Sequence, residues 1–164
     1  MAFIKKTLIA FLFLFPFLNA RAQKINDSYQ LRISESSTPI TIDGRMDEAA
    51  WREAEVASDF YMITPMDTSS AQLRTDVRMT YDEKYLYIIA VNFRGESDPN
   101  VVESLRRDFN FGNNDNFLLF MDPFDDQTNG FSFGANAAGA EWDGLMYDGG
   151  SVNLSWDNKW VSRV

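Results

Sequence analysis

A chain of 164 residues with 24 acidic and 15 basic side chains carries a formal charge of −9, and it contains neither histidine nor cysteine. Disulfides, thiolate nucleophiles, Cys/His zinc sites, Ser-His-Asp triads and histidine-ligated haem are therefore excluded within it. The chemistry left open is that of carboxylates, of oxygen-ligated metals such as calcium, and of binding without reaction.

The amino terminus reads as an export signal. Lys5 and Lys6 precede an almost unbroken apolar stretch from Leu8 to Leu18, and Ala20-Arg21-Ala22 follows. A charged region, an apolar region and a small-x-small site, in that order, make a secretory signal peptide. The apolar run falls short of the roughly 20 residues that a spanning helix needs, and Pro16 interrupts it. Residues 1–22 are expected to be cleaved off, leaving Gln23 first. No cysteine follows the cut, so a lipoprotein is not expected, and the product is expected in the periplasm, in the outer membrane or outside the cell. Losing Lys5, Lys6 and Arg21 takes the charge from −9 to −12. Such a charge repels phosphate backbones and argues against nucleic-acid partners, while keeping an exported domain soluble.

Residues 23–37 form a polar segment in which Tyr29, Leu31 and Ile33 alternate as in an edge strand. Residues 38–164 read as one β-rich domain. Ile40 to Gly44 is a short strand ending at a turn, and Asp47 to Ala54 carries helix formers behind an aspartate placed to cap the first turn, with Trp51 beneath. Asp43 and Asp47 thus read as turn and cap residues. From Leu73 to Tyr81 apolar and polar residues alternate, Asp82-Glu83-Lys84 turns the chain, and Tyr85 to Val91 is apolar on both faces, as a covered central strand would be. Pro99 is placed to start a short helix through Val101, Val102 and Leu105. Phe117 to Met121 is a second strand apolar on both faces. Asp122 to Gly130 is an acidic loop closed by the hairpin pair Asn129-Gly130. Its Asp122, Asp125, Asp126 and Asn129 offer the oxygens that calcium takes, without EF-hand spacing.

Phe131, Phe133 and Ala135 then alternate with small and polar residues, and further strands are expected at Trp142 to Tyr147 and Val152 to Trp156. Asp157-Asn158 makes the next turn, and Trp160 to Val164 looks like the start of another strand. Trp156 and Trp160 are expected to pack across strands rather than to form a ligand platform. Short strands at this spacing predict an all-β protein, an antiparallel β-sandwich. A final strand without a partner leaves its backbone groups open, so the chain is expected to be truncated, with strands beyond Val164.

Three stretches resemble the family 9 carbohydrate-binding module: Ile42-Asp43-Gly44-Arg45-Met46-Asp47-Glu48-Ala49-Ala50-Trp51, then Tyr81-Asp82 with Leu86-Tyr87, then Asp115-Asn116-Phe117 leading to Asp122. The resemblance covers about residues 38–164 and is to the form found at the amino terminus of large exported bacterial proteins, ahead of an outer-membrane-like β region. It implies a β-sandwich, no catalytic residue in this chain, and a sugar ring clamped between two tryptophans. By spacing, the first clamp tryptophan corresponds to Gly112, with Phe109 and Phe111 the nearest aromatics, and the second to a position past Val164. A family arginine falls on Gly134, and the asparagine two residues later is kept as Asn136.

Pyranose C–H faces pack on aromatic rings, and planar amides, carboxylates and guanidinium groups match paired hydroxyls. The expected ligand-binding set is therefore Arg106, Arg107, Phe111, Asp115, Asn136 and Trp142, with an oligo- or polysaccharide as partner. In the plainer reading, Arg106 and Arg107 pair with Asp108 or Glu103 at the surface, and Phe109 and Phe111 anchor a loop on the core. The function expected is a carbohydrate-binding module of an exported bacterial protein whose parent takes part in polysaccharide breakdown by glycoside hydrolysis. The alternative is a periplasmic structural or interaction domain of an outer-membrane β-barrel protein. A glycosidase in its own right ranks last, because no motif singles out a pair of carboxylates.

Overall fold

The β-hairpin expected from the alternation at Leu73 is present, and its first strand is the centre of the first of two sheets. The computed structural model describes residues 29–63, 69–95 and 99–164, so the expected signal peptide lies outside the described residues. Residues 31–164 form one compact unit. Strand β1 (Ser34–Glu35), helix α1 (Ala49–Glu53) and strands β2 (Val56–Ala57), β3 (Thr75–Tyr81) and β4 (Leu86–Asn92) come first. After a 3-10 turn (Phe111–Asn113) follow β5 (Asn116–Met121), β6 (Gly130–Asn136), β7 (Glu141–Tyr147) and β8 (Ser151–Asn153). Two four-stranded sheets and one five-residue helix make the described chain nearly all-β, in agreement with the β-sandwich class.

In the first sheet β3 carries β4 along one edge and both β1 and β2 along the other. The β1–β3 pair is parallel, a departure from a purely antiparallel plan. Asp82 makes the β3–β4 turn. One of its oxygens accepts the N–H groups of Lys84 and Tyr85, and the other accepts the Tyr87 hydroxyl, each at 2.8 Å. These donors hold the Asp82 carboxyl below its ordinary value, the Lys84 N–H foremost. The helix buries Ala50 and Trp51, and Ala54 and Val77 complete a small apolar core on this side. Its cap differs from expectation: the N-cap residue is Glu48, whose side chain instead accepts the Thr41 N–H, and Asp47 contributes a backbone carbonyl to Arg52. Asp43 is a turn residue as expected, accepting the Arg45 N–H across Gly44 at φ +81°.

The second sheet runs β5-β6-β7-β8, antiparallel throughout. Neither β4 nor β5 is the covered central strand that its apolar run suggested. Among the described residues each pairs on one side only, and Leu86 and Phe120 stay exposed. Small residues on β6 explain how the sheet packs. Gly130, Ser132 and Gly134 share one face with Asn136, and the neighbouring strands lay Leu118, Trp142 and Val152 towards this floor. A Cβ on Gly134 would stand 2.3 Å from Leu118 Cδ2 and 2.7 Å from the Phe117 carbonyl oxygen. Trp142, Phe109 and Ala140 are the buried centre of this core.

Three expected elements are absent among the described residues, the first being the short strand at Ile40 to Gly44, where only the turn forms. No helix follows Pro99, because the N–H groups of Val101, Glu103 and Ser104 go to the side chains of Asp115 and Asn114 instead of to helical carbonyls. No strand forms at Trp160 to Val164. There the chain crosses the Phe133 face, with Trp156 and Trp160 both edge-on to Phe133 at 6.2 and 5.5 Å. The two tryptophans pack on one ring as expected, but not across strands, since neither lies in a strand. Val164 comes against both the Gly44 and Gly139 turns.

Gly134→Ala is expected to lower unfolding free energy by about 1–3 kcal/mol, because a backbone carbonyl cannot step aside for the methyl group. Urea unfolding measures it, and an unchanged midpoint would contradict the close β5–β6 packing.

Candidate functional site

The six residues expected to touch a ligand come from the irregular 99–115 segment and from β6 and β7, and they do divide by burial. Asn136 and Trp142 are interior, at 0% and 2% exposure. Asn136 is fully occupied: its carbonyl oxygen accepts the N–H groups of Ala138 and Ala140, and its amide donates to the Ser104 carbonyl at 2.7 Å. It closes the β6–β7 turn and ties the 99–115 segment to the sheet. Trp142 is covered by two half-exposed phenylalanines, Phe111 and Phe120, each edge-on at about 6 Å. Neither Asn136 nor Trp142 is presented to a ligand.

Asn114 does for the loop what Asn136 does for the turn. Its carbonyl oxygen accepts the N–H groups of Glu103 and Ser104, and its amide donates to the Asn110 carbonyl. Asp115 accepts the Val101 N–H at 2.9 Å and lies 3.8 Å from Arg94. Sequence reasoning passed over Asn114. Its signal was the cluster of short polar side chains from Asn110 to Asn116, which bind backbone wherever no helix or strand forms.

Arg107 is a hub and not a surface residue paired with Asp108 or Glu103. Its guanidinium reaches Glu141 at 3.1 Å, Asp157 at 3.0 Å, and Asp143. Asp143 is wholly buried and also accepts the Asn158 N–H at 2.7 Å. The strand β8 pairs with β7 only at Leu145 to Tyr147. Beyond that pairing, the Asp108 N–H donates to the Glu141 carbonyl at 2.9 Å, while the Asn158 N–H reaches β7 through the Asp143 side chain. Asp108 is itself in the left-handed region at φ 57°, with one carboxyl oxygen buried and unpartnered. Burial pushes its carboxyl up, opposed by the Asp143 N–H and Arg107.

That leaves Arg106, Phe111 and Asp115 of the expected set with exposed side chains. Three of the four expected calcium ligands, Asp122, Asp126 and Asn129, bond within their own loop. Asp122 accepts the N–H groups of Phe124, Asp126 and Gln127, and Asp126 accepts those of Thr128 and Asn129 together with the Asn129 amide. These bonds hold the Asp126 carboxyl well below the usual range, that from the Asn129 side chain foremost. The carboxylates fold the loop upon itself, and among the described residues no three acidic groups converge as metal ligands would.

Two β-sheets, with an irregular loop held by amide side chains and exposed aromatic rings beside it, place the chain in the β-sandwich class. The chain belongs to the carbohydrate family 9 binding domain-like family, whose model matches residues 42–143. That span runs from the turn before α1 to the buried Asp143. No curated protein and no solved structure matches the chain.

The pKa of Asp108 is raised by folding, so protonation favours the folded state. The stability this gives is present below pH about 4 and is lost as pH rises through the folded value. Asp108→Asn, which tolerates φ > 0, is expected to raise the melting temperature at pH 7 and to leave it nearly unchanged at pH 3.5. Equal melting shifts at both pH values would contradict the assignment.

Proposed function

We propose that this domain is the carbohydrate-binding module of an exported bacterial protein. The observation that carries the reading is membership of the carbohydrate family 9 binding domain-like family over residues 42–143, on a two-sheet fold. The Lys5 to Ala22 pattern supports export to the periplasm, the outer membrane or the exterior. The absence of histidine and cysteine from the chain, and of any motif that pairs two carboxylates, supports binding without chemistry. Polysaccharide breakdown is then a task of the parent protein, with this domain holding the substrate near the catalytic part.

The physical case for sugar rests on surface chemistry. Several aromatic rings stay exposed, among them Phe111, Phe120, Phe124 and Tyr147, and exposed rings offer faces to pyranose C–H groups. A second reading, a structural or interaction domain of an outer-membrane β-barrel protein, draws support from the exposed aliphatic side chains Ile63, Val101 and Leu105, since apolar surface of this kind also suits protein contacts.

Isothermal titration of the purified protein with a broad set of neutral and acidic oligosaccharides separates the two. Saturable binding to at least one glycan is expected. Silence across the whole set would leave the interaction-domain reading standing and remove the first.

A further inference from the structure

We infer that a groove between the acidic loop and the β7–β8 turn is a sugar-binding site for an uncharged oligosaccharide, distinct from the 106–142 cluster. The inference rests on the carbohydrate-binding reading and locates its site. The groove, of about 380 Å³, is lined by Phe124, Asn129, Phe131, Leu145, Tyr147 and Asn153 among others, a volume in the range of small-ligand pockets.

Register explains why these side chains meet. Phe131 pairs with Leu145, and Leu145 with Asn153, so the three form a row across β6, β7 and β8 on one face. Tyr147 lies two residues beyond Leu145 and therefore on the same face. Phe124 comes from the acidic loop, its ring 6.2 Å from that of Phe131, and Phe131 in turn rests 5.4 Å from Trp156. The row is the floor, and Phe124 and Tyr147 are exposed rings at its margins, at 63% and 44%.

The polar groups suit a polyol. Asn153 uses its carbonyl oxygen for Ser155, and its amide N–H₂ has no partner among the described residues. Asn129 is the complement: its amide is taken by Asp126 and Thr128, and its carbonyl oxygen accepts nothing among the described residues. The groove thus presents one open donor, one open acceptor and the Tyr147 hydroxyl beside aromatic faces, which is what paired hydroxyls on a pyranose require.

Both walls are fixed before any ligand arrives. Five backbone N–H bonds to Asp122 and Asp126 hold the loop, and the Gly149 N–H donates to the Thr128 carbonyl at 3.1 Å, joining the loop to the turn. Little ordering is then left to oppose binding. Charge selects the ligand. No lysine or arginine lines the groove, and Asp122, Asp125, Asp126 and Asp148 belong to the loop and turn that contribute its lining residues. Uronate or sulfated chains are repelled, and neutral ones are not.

The test is titration of the full chain with cellohexaose and mannohexaose, with a hexamer of galacturonate as the charged probe. Phe124→Ala and Tyr147→Ala are each expected to weaken neutral-sugar binding about tenfold, and Asn153→Ala to weaken it as well, whereas Tyr85→Ala, which removes an exposed ring outside the groove, leaves it unchanged. Circular dichroism confirms that each variant folds. Wild-type binding that persists in the three groove variants would overturn the groove and leave the carbohydrate-binding reading intact. So would galacturonate binding tighter than the neutral chains. A wild type that binds none of the probes, or any other glycan, would overturn both.

Discussion

A carboxylate with no exposed surface sits on β7, and two separate stretches of chain converge on it. Asp143 accepts from Arg107 and from the Asn158 backbone, while Arg107 also holds Glu141 and Asp157. Removing a charge from water costs several kcal/mol unless an opposite charge and hydrogen bonds replace the lost hydration. Asp143 can be buried only where the 107–108 and 157–158 segments lie against the open part of the β7 edge. The charge thus specifies the position of both segments, and it shields a strand edge that would otherwise show bare donors and acceptors.

The same device recurs where regular structure stops. Between Pro99 and Asp115 the chain has neither helix nor strand except one 3-10 turn, yet its backbone groups are satisfied by Asn114, Asp115 and Asn136. In the acidic loop Asp122 and Asp126 do likewise. Short polar side chains substitute for a ladder, and an irregular loop acquires a fixed shape. Such loops can present side chains to a ligand without first being ordered by it. The apolar core beneath is modest, centred on Phe109, Ala140 and Trp142 in the second sheet. The glycines of β6 and β7 let that core close up: a Cβ on Gly144 would stand 2.5 Å from Val152.

Much of the fold was legible in the sequence. The alternation at Leu73 to Tyr81 located β3, and the Asn129-Gly130 pair located the start of β6, because a period of two and a tight-turn dipeptide are local signals. The helix at Trp51 was also visible. What periodicity misjudged was coverage. Tyr85 to Val91 and Phe117 to Met121 read as central strands, but they are edge strands, since an apolar run reports side-chain composition and not the number of neighbours. The supposed helix after Pro99 failed because Asn114 and Asp115, ten or more residues away, outcompete the helical carbonyls. The candidate site was harder still. Asn136 and Trp142 were named for their chemistry, and both proved to be interior. Arg107 was read as a ligand residue or as a surface partner of Asp108 or Glu103, because its actual partners Glu141, Asp143 and Asp157 lie 34 or more residues downstream, and only folding brings them together.

Native-state hydrogen exchange tests most directly whether Asp143 organises the second sheet. The amides of Asp108 and Asn158, which lie in irregular segments, are predicted to exchange as slowly as the paired amides of β6 and β7. Exchange of these two amides at the rate of an unprotected loop would contradict the claim that the buried carboxylate fixes both segments to the sheet.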